Sequence, residues 1–210
     1  MANPSNTTLF TELDENNVDP NPIDLFRRWF DEAIASGSRL PDAMTLATAT
    51  KDGKPSARMV LLKQVDDQGF VFYTNYLSDK ARELEENPRA ALVMYWTQLD
   101  RQVRVEGNVK RVSAAESDEY FKTRPRESQL GAAASPQSEV IESREVLEQS
   151  WRELDELYRD RPVERPAHWG GYRLEPERIE FWQNRVGRLH DRILYERQGN
   201  GTWTIKRLAP

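Results

Sequence analysis

Cysteine is absent from the 210 residues. That excludes disulfides, thiolate metal sites, haem–thiolate ligation and every mechanism with a cysteine nucleophile. Histidine is scarce: His168 and His190 are the two present, too few for a three-histidine metal centre. No apolar run approaches the ~20 residues that cross a bilayer, and the opening MANPSNTTLF has no basic stretch followed by an apolar one. A soluble, cytoplasmic protein without membrane contact is the expectation. Positive charge does not predominate either. Lys and Arg number 30 against 35 Asp and Glu, a net charge of −5 with a pI of about 5.3, which argues against a dedicated nucleic-acid binder. GxGxxG, Walker A, HExxH and GxSxG are all missing, so dinucleotide, P-loop, zinc-protease and α/β-hydrolase readings lose their usual support. What is plentiful is arginine, 23 against 7 lysines. Its planar fork grips phosphates with two donors at once, although arginine is equally at home on solvated surface.

Met1–Asp19 is polar and without sustained period, which predicts a flexible terminal segment, with one domain over residues 20–210. Asn21-Pro22 reads as an N-cap followed by a first-turn proline. Ile23, Phe26, Phe30, Ala33 and Ile34 then share one helical face up to a stop at Gly37. Beyond it the period changes to that of strands: Ala43–Thr50, Ala57–Val65, Phe70–Thr74, Ala90–Trp96 and Gln102–Val112. Their hairpin-sized spacers favour antiparallel neighbours, being too short for helical crossovers. Ser78–Asn87, Ala114–Lys122 and Ser138–Tyr158 read as helices, whereas TRPRESQLGAAASPQS follows no period. Tyr172–Leu174, Arg178–Trp182, Ile193–Arg197 and Thr202–Leu208 alternate again. Six to nine antiparallel strands with a few helices predict a mainly β chain forming a closed or nearly closed barrel.

Three stretches carry chemistry. If Arg188-Leu189-His190-Asp191-Arg192 is extended, Arg188, His190 and Arg192 share one face and attract anions. The same residues would also suit a strand edge that pairs with helix carboxylates. The aromatic planes of Phe181 and Trp182 nearby favour a flat, charged ligand. In Thr123-Arg124-Pro125-Arg126-Glu127-Ser128, two arginines and a hydroxyl supply the donors that hold a phosphate, with Tyr120 one turn earlier. A core tyrosine beside a helix-end charge cluster would look alike. The third stretch is Arg58–Lys63, where Met59–Leu62 is uninterruptedly apolar, as in a strand buried on both faces or at an interface. Arg58 and Lys63 fall on opposite faces of a regular strand. Lys80 stands in the first turn of the Ser78 helix, where backbone N–H groups already favour an anion, with Asp79 beside it pulling the other way. Gln102 shares a face with Arg104 and could read the edge of a heterocycle or simply face solvent. Trp29, Trp96 and Trp151 are assigned to core or subunit contacts, and His168 to a loop.

Taken in order, ARMVLLK at 57–63, VFYTN at 71–75, RQV at 101–103, YFKTRPRESQLGA at 120–132, SPQS at 135–138, HWGGYRL at 168–174, IEFWQNRVGRLHDRILYER at 179–197 and IKRLAP at 205–210 resemble the flavin-dependent pyridoxamine (pyridoxine) 5′-phosphate oxidases. The resemblance implies a split β-barrel homodimer with FMN at the subunit interface. It implies FMN contacts from Arg58, Met59, Val60, Leu61, Leu62, Lys63, Tyr73, Thr74, Lys80, Gln102, Gln137, Ser138, Trp182 and Arg192. The substrate phosphate would fall to Lys63, Tyr120, Arg124 and Ser128, with Arg188 and His190 as the catalytic pair at the pyridine ring. The implied reaction is oxidation of pyridoxamine or pyridoxine 5′-phosphate to pyridoxal 5′-phosphate by O2, with H2O2 as product and ammonia released from the amine. A related flavin oxidase of another aromatic, such as a reduced phenazine carboxylate, and a non-catalytic flavin- or haem-binding split barrel are the alternatives. The chain departs from the family pattern at Asp79, usually arginine or a small residue, and at Asn184, where glycine is common. Its first 19 residues also lack the Arg, Lys and Tyr of the family's closing segment.

Overall fold

The computed structural model describes residues 12–210. Residues 1–11 of the expected flexible segment lie outside the described residues. Within 12–19, Leu13 is buried and the Asp19 carbonyl accepts from the Tyr195 hydroxyl at 2.6 Å. Helix α1 (Pro22–Ala35) starts where expected, with the Asn21 side chain accepting from the Ile23 N–H. It ends at Ser36, before Gly37 turns the chain at a φ of +77°.

The strands are β1 (Ala43–Ala49), β2 (Pro55–Leu61), β3 (Gln64–Asp66), β4 (Gly69–Asn75), β5 (Arg89–Trp96), β6 (Arg101–Arg111), β7 (Trp169–Gln183), β8 (Asp191–Arg197) and β9 (Trp203–Arg207). All pair antiparallel, in the order β2-β1-β5-β6-β7-β4-β3, with β8 and β9 added beside β7. The two ends of that path, β2 and β3, are successive pieces of chain separated by Leu62-Lys63, so the sheet curls until the chain itself joins its ends. This is the expected split barrel, mainly β with flanking helices.

The segments Tyr172–Leu174 and Arg178–Trp182, read as two strands, are one strand, β7. Pro176 in its middle cannot donate to the ladder, and it stands opposite Gly107, where the register shifts. A Cβ on Gly107 would lie 2.0 Å from the Glu175 carbonyl oxygen, so the glycine lets the two backbones meet there and β7 bends without ending.

Alternation sorts the faces. Val103 and Val105 point into the barrel with Phe70, Phe72, Met94 and Phe181, and α1 plugs this core with Phe26 and Trp29. Trp96 is buried as expected. A second, smaller cluster (Phe121, Leu130, Val163 and Trp169, with Trp151 and Leu154 packed on it) lies under helices α3 (Ala114–Thr123), α4 (Arg126–Ala134) and α5 (Arg144–Leu157). Helix α2 (Asp79–Glu86) crosses between β4 and β5. The period-free stretch at 123–138 contains α4, which buries only Leu130 and Ala134 and so shows no apolar stripe.

Candidate functional site

A cavity of about 710 Å³ opens between the β2 edge, the end of β4, the start of α2 and the α3–α4 corner. Met59, Val60 and Leu61 form one wall. β2 is not buried on both faces, as its apolar run had allowed. It is an edge strand that leaves Met59 62% and Leu61 41% exposed in the single chain. Leu62, beyond the strand end, turns into the core and does not line the cavity.

Tyr73 and Thr74 reach the cavity from β4. Tyr73 stacks on Tyr120 of α3 at 4.0 Å between ring centroids and on Trp169 at 5.3 Å, which gives three nearly parallel rings. Burial raises the Tyr73 phenol to about 12, so it stays a hydrogen-bond donor across the physiological range. Gly171 keeps this ring in place, since a Cβ there would come within 2.8 Å of it.

Among the described residues, two cations line the cavity without forming an ion pair. The Lys80 side chain runs back from the first turn of α2 and donates to Thr74 Oγ1 at 3.1 Å, Ser78 Oγ at 3.1 Å and Gln137 Oε1 at 3.2 Å, all neutral oxygens. Burial, and after it the nearby Arg58 guanidinium, lower its ammonium to about 8 against the weaker opposing pull of the Asp79 and Glu83 carboxylates. Arg124, at the α3–α4 corner, lies 4.7 Å over the Trp169 ring with its Nη1 buried and unpartnered, and burial lowers its pKa too. Ser128 in the first turn of α4 lines the same wall. A cation with buried nitrogens and no ion-pair partner is costly unless an anion joins it. The donor set therefore fits a phosphate-bearing ligand, and the aromatic stack and the apolar β2 edge fit its ring.

Other expected residues stand beside this cavity in roles the spacing did not show. Lys63 lines it but is paired with Asp42 at 2.9 Å. Arg58 is held by Glu83 of α2 at 3.1 Å and by Thr48 and Ser56, off the lining. Ser138, at a φ of +74°, accepts from the Asp79 N–H at the N-terminus of α2. Asn75, Thr123, Ser135 and Trp169 line the cavity and were missed. The HWGGY motif was the available signal for Trp169. Asn75 and Ser135 are brought in by an Asn75 Nδ2 to Ser135 carbonyl bond that joins segments 60 residues apart.

Gln102, Trp182, His190 and Arg192 form a second patch, on the outer face of β6–β7–β8. Gln102 is in register with Trp182, and Trp182 with Arg192. The Trp182 and His190 rings lie 4.7 Å apart. Residues 188–192 are not one extended run. Val186–Arg188 is a 3₁₀ turn with Gly187 and Arg188 both at positive φ, and β8 begins only at Asp191, so the expected shared face does not form by strand alternation. Instead the turn lifts Arg188, exposed, away from the sheet. Arg192 is paired with Glu180 at 2.7 Å. Within one chain the two patches share no lining residue.

Residues 30–158 match the family model described as Pyridoxamine 5′-phosphate oxidase, and residues 169–210 match that of the Pyridoxine 5′-phosphate oxidase C-terminal dimerisation region. The chain belongs to the pyridoxamine 5′-phosphate oxidase family. Among curated members, the pyridoxine/pyridoxamine 5′-phosphate oxidases of Rubrobacter xylanophilus and Nostoc punctiforme are 61% and 59% identical over 198 residues, covering 94% of this chain and 91% and 92% of theirs. This flavin-binding family makes the chain an oxidase. PhzG from Burkholderia lata, solved in complex with tetrahydrophenazine-1-carboxylic acid, superposes with a TM-score of 0.90 at 36% identity, covering 97% of this chain and 98% of its own. An FMN-binding family relative from Nostoc punctiforme shares the fold at a TM-score of 0.72 and 19% identity, covering 88% and 97%. Among the described residues no helix is long and apolar enough to cross a membrane.

Proposed function

We propose that the chain is an FMN-dependent oxidase of pyridoxamine and pyridoxine 5′-phosphates, yielding pyridoxal 5′-phosphate with O2 as acceptor, H2O2 as product and ammonia released from the amine. The observation that carries this reading is the pair of cations facing one cavity, the buried Lys80 and the half-buried Arg124 with its buried Nη1, neither of which forms an ion pair among the described residues. Two anion grips in one cavity match two phosphorylated aromatic ligands. Lys80, Thr74, Gln137 and the β2 edge would hold FMN. Lys63, Tyr120, Arg124 and Ser128 would hold the vitamer phosphate.

The flavin, when bound, supplies the hydride acceptor and passes the electrons to O2. The protein's contribution is placement. Anchoring the phosphate at Arg124 fixes one end of the substrate, and the stacked rings restrict its plane, which together remove much of the entropy cost of reaching a reactive pose. Gln102, Trp182, Arg188, His190 and Arg192 lie away from the cavity in one chain. In the proposed homodimer, the exposed β2 edge and the dimerisation region of one subunit would bring the partner's second patch to this cavity and complete the site.

The Burkholderia lata neighbour favours a second reading, oxidation of a reduced phenazine carboxylate. Arg124 and Ser128 weigh against it, because a carboxylate fixed directly to a ring system has no need of a second phosphate grip. Aerobic turnover by the flavin-loaded protein decides between them. Peroxide and aldehyde should appear together with both vitamer phosphates. Peroxide with a dihydrophenazine carboxylate and none with either vitamer would overturn the proposal.

A further inference from the structure

The turn that carries Arg188 and His190 is tied down on both sides. Asp191, 6% exposed, takes Arg185 Nε at 2.6 Å on one carboxylate oxygen and Arg207 Nη1 at 3.0 Å on the other. Asn184 N–H donates to the Asp100 carbonyl at 3.0 Å. Between these anchors the backbone N–H of Arg185 donates to Nδ1 of His190 at 3.1 Å. An Nδ1 that accepts a hydrogen bond carries its lone pair there, so the ring proton of neutral His190 sits on Nε2. Of the consecutive positive φ values at Gly187 and Arg188, +72° and +62°, the first is free to a glycine and the second costs energy at a residue with a side chain.

We infer that Arg185 and Asp191 are positioning residues that lock His190 in the Nε2–H form, so that it meets the substrate as a hydrogen-bond donor and not as a proton acceptor. The inference rests on the proposed function only for what His190 faces. The tautomer itself follows from the contact with Arg185. A neutral imidazole in this setting has no free lone pair: Nδ1 is occupied and Nε2 bears the proton. It can orient an oxygen or nitrogen lone pair on the substrate, and a proton leaving the substrate must go elsewhere.

Two measurements test this. In the flavin-loaded protein labelled with 15N-histidine, His190 should show a pyridine-type Nδ1 and a pyrrole-type Nε2. The chain has two histidines, so a His168→Gln variant assigns the signals. Asp191→Asn should shift His190 toward a mixture of tautomers, and Arg185→Gln, which keeps the backbone N–H and tests the clamp if Asp191→Asn does not fold, should do so in part. A pyrrole-type Nδ1 in the wild type, or an unmoved pattern in both variants, overturns the lock. The kinetic arm uses side-chain shape. Gln places an amide N–H near the imidazole Nε2, whereas Asn reaches only as far as Nδ1. His190→Gln should keep kcat within about tenfold of wild type, and His190→Asn and His190→Ala should each fall on the order of 100-fold. Equal loss in all three overturns the donor role. Failure of the wild type to oxidise either vitamer phosphate would count against the proposed function, and the nitrogen spectrum would still decide the tautomer.

Discussion

The cavity beside Trp169 and the patch around Trp182 both gather cations, and they treat charge in opposite ways. Lys80 is buried among hydroxyls and an amide, Arg124 is half-buried against aromatic rings, and among the described residues neither forms an ion pair. In the second patch four arginines have a carboxylate, Glu180 taking Arg104 and Arg192 and Asp191 taking Arg185 and Arg207, while Arg188 stands exposed on its turn. An uncompensated buried cation is a standing electrostatic cost that an arriving anion relieves. A compensated one adds little net charge, and its carboxylate aims it instead. Under the proposed function the first region would bind and the second would orient.

The comparison breaks most visibly at Arg124. Arg124→Met should raise KM for the vitamer phosphates on the order of 100-fold, from the ~3 kcal/mol of a charged hydrogen-bond set, while flavin content stays near wild type. The ligand-free protein should melt no lower, because an unpartnered guanidinium has been replaced by an apolar chain. An unchanged KM would show that the phosphate lies elsewhere. Lys80→Met should weaken flavin binding about 10- to 100-fold, read by fluorescence titration, again without loss of ligand-free stability. A fall in melting temperature in both variants would mean that these cations are already compensated and that the two regions do not differ.

A smaller effect is the pH dependence of flavin binding. In the ligand-free cavity the Lys80 ammonium titrates at about 8, below its ordinary value of 10.5. A bound phosphate favours the charged form and raises it again. Affinity should therefore change little with this group below pH 8. Above it, affinity should fall by up to about tenfold per pH unit until the ammonium of the complex also titrates. For stability of the ligand-free protein the sign is reversed. The penalty is fully present below about 8 and disappears as pH rises toward 10.5, because the unfolded chain holds the proton over that interval. Titrations between pH 7 and 10, repeated with Lys80→Met, isolate the group; a profile identical in the variant would refute the assignment. The least effect is expected at Glu180→Gln, which loosens Arg192 and Arg104 without exposing an unpaired buried cation. A several-fold loss of kcat or flavin affinity is expected, and a loss exceeding that of Lys80→Met would reverse the roles of the two regions.

Much of the fold was legible because strand alternation and turn chemistry are local. The Asn21 cap, the Gly37 stop and most strand spans needed only near neighbours in the chain. The failures share one cause. Helix α4 shows no stripe because it packs through two small contacts, β7 looks like two strands because its proline sits at a bulge whose partner, Gly107, is far away in sequence, and the basic run at 188–192 alternates on paper but is interrupted by a turn with two positive φ values. The candidate site divides along the same line. Arg124 and Ser128 are close in sequence and could be read as a phosphate grip. Nothing local announced that Lys63 would be held by Asp42, or Arg58 by Glu83.

The residue types and their order settled the chemistry available to this chain: no thiolate, no histidine metal centre, arginines beside hydroxyls and aromatic planes, and short strands that must pair antiparallel. Only the tertiary structure decided which of those cations would be neutralised. That depends on which carboxylates the folded sheet and helices bring within hydrogen-bonding distance, and such contacts join segments tens of residues apart. Among the described residues, the same amino acid types stand unpaired on the cavity wall at Lys80 and Arg124 and paired with acids at Lys63 and Arg192.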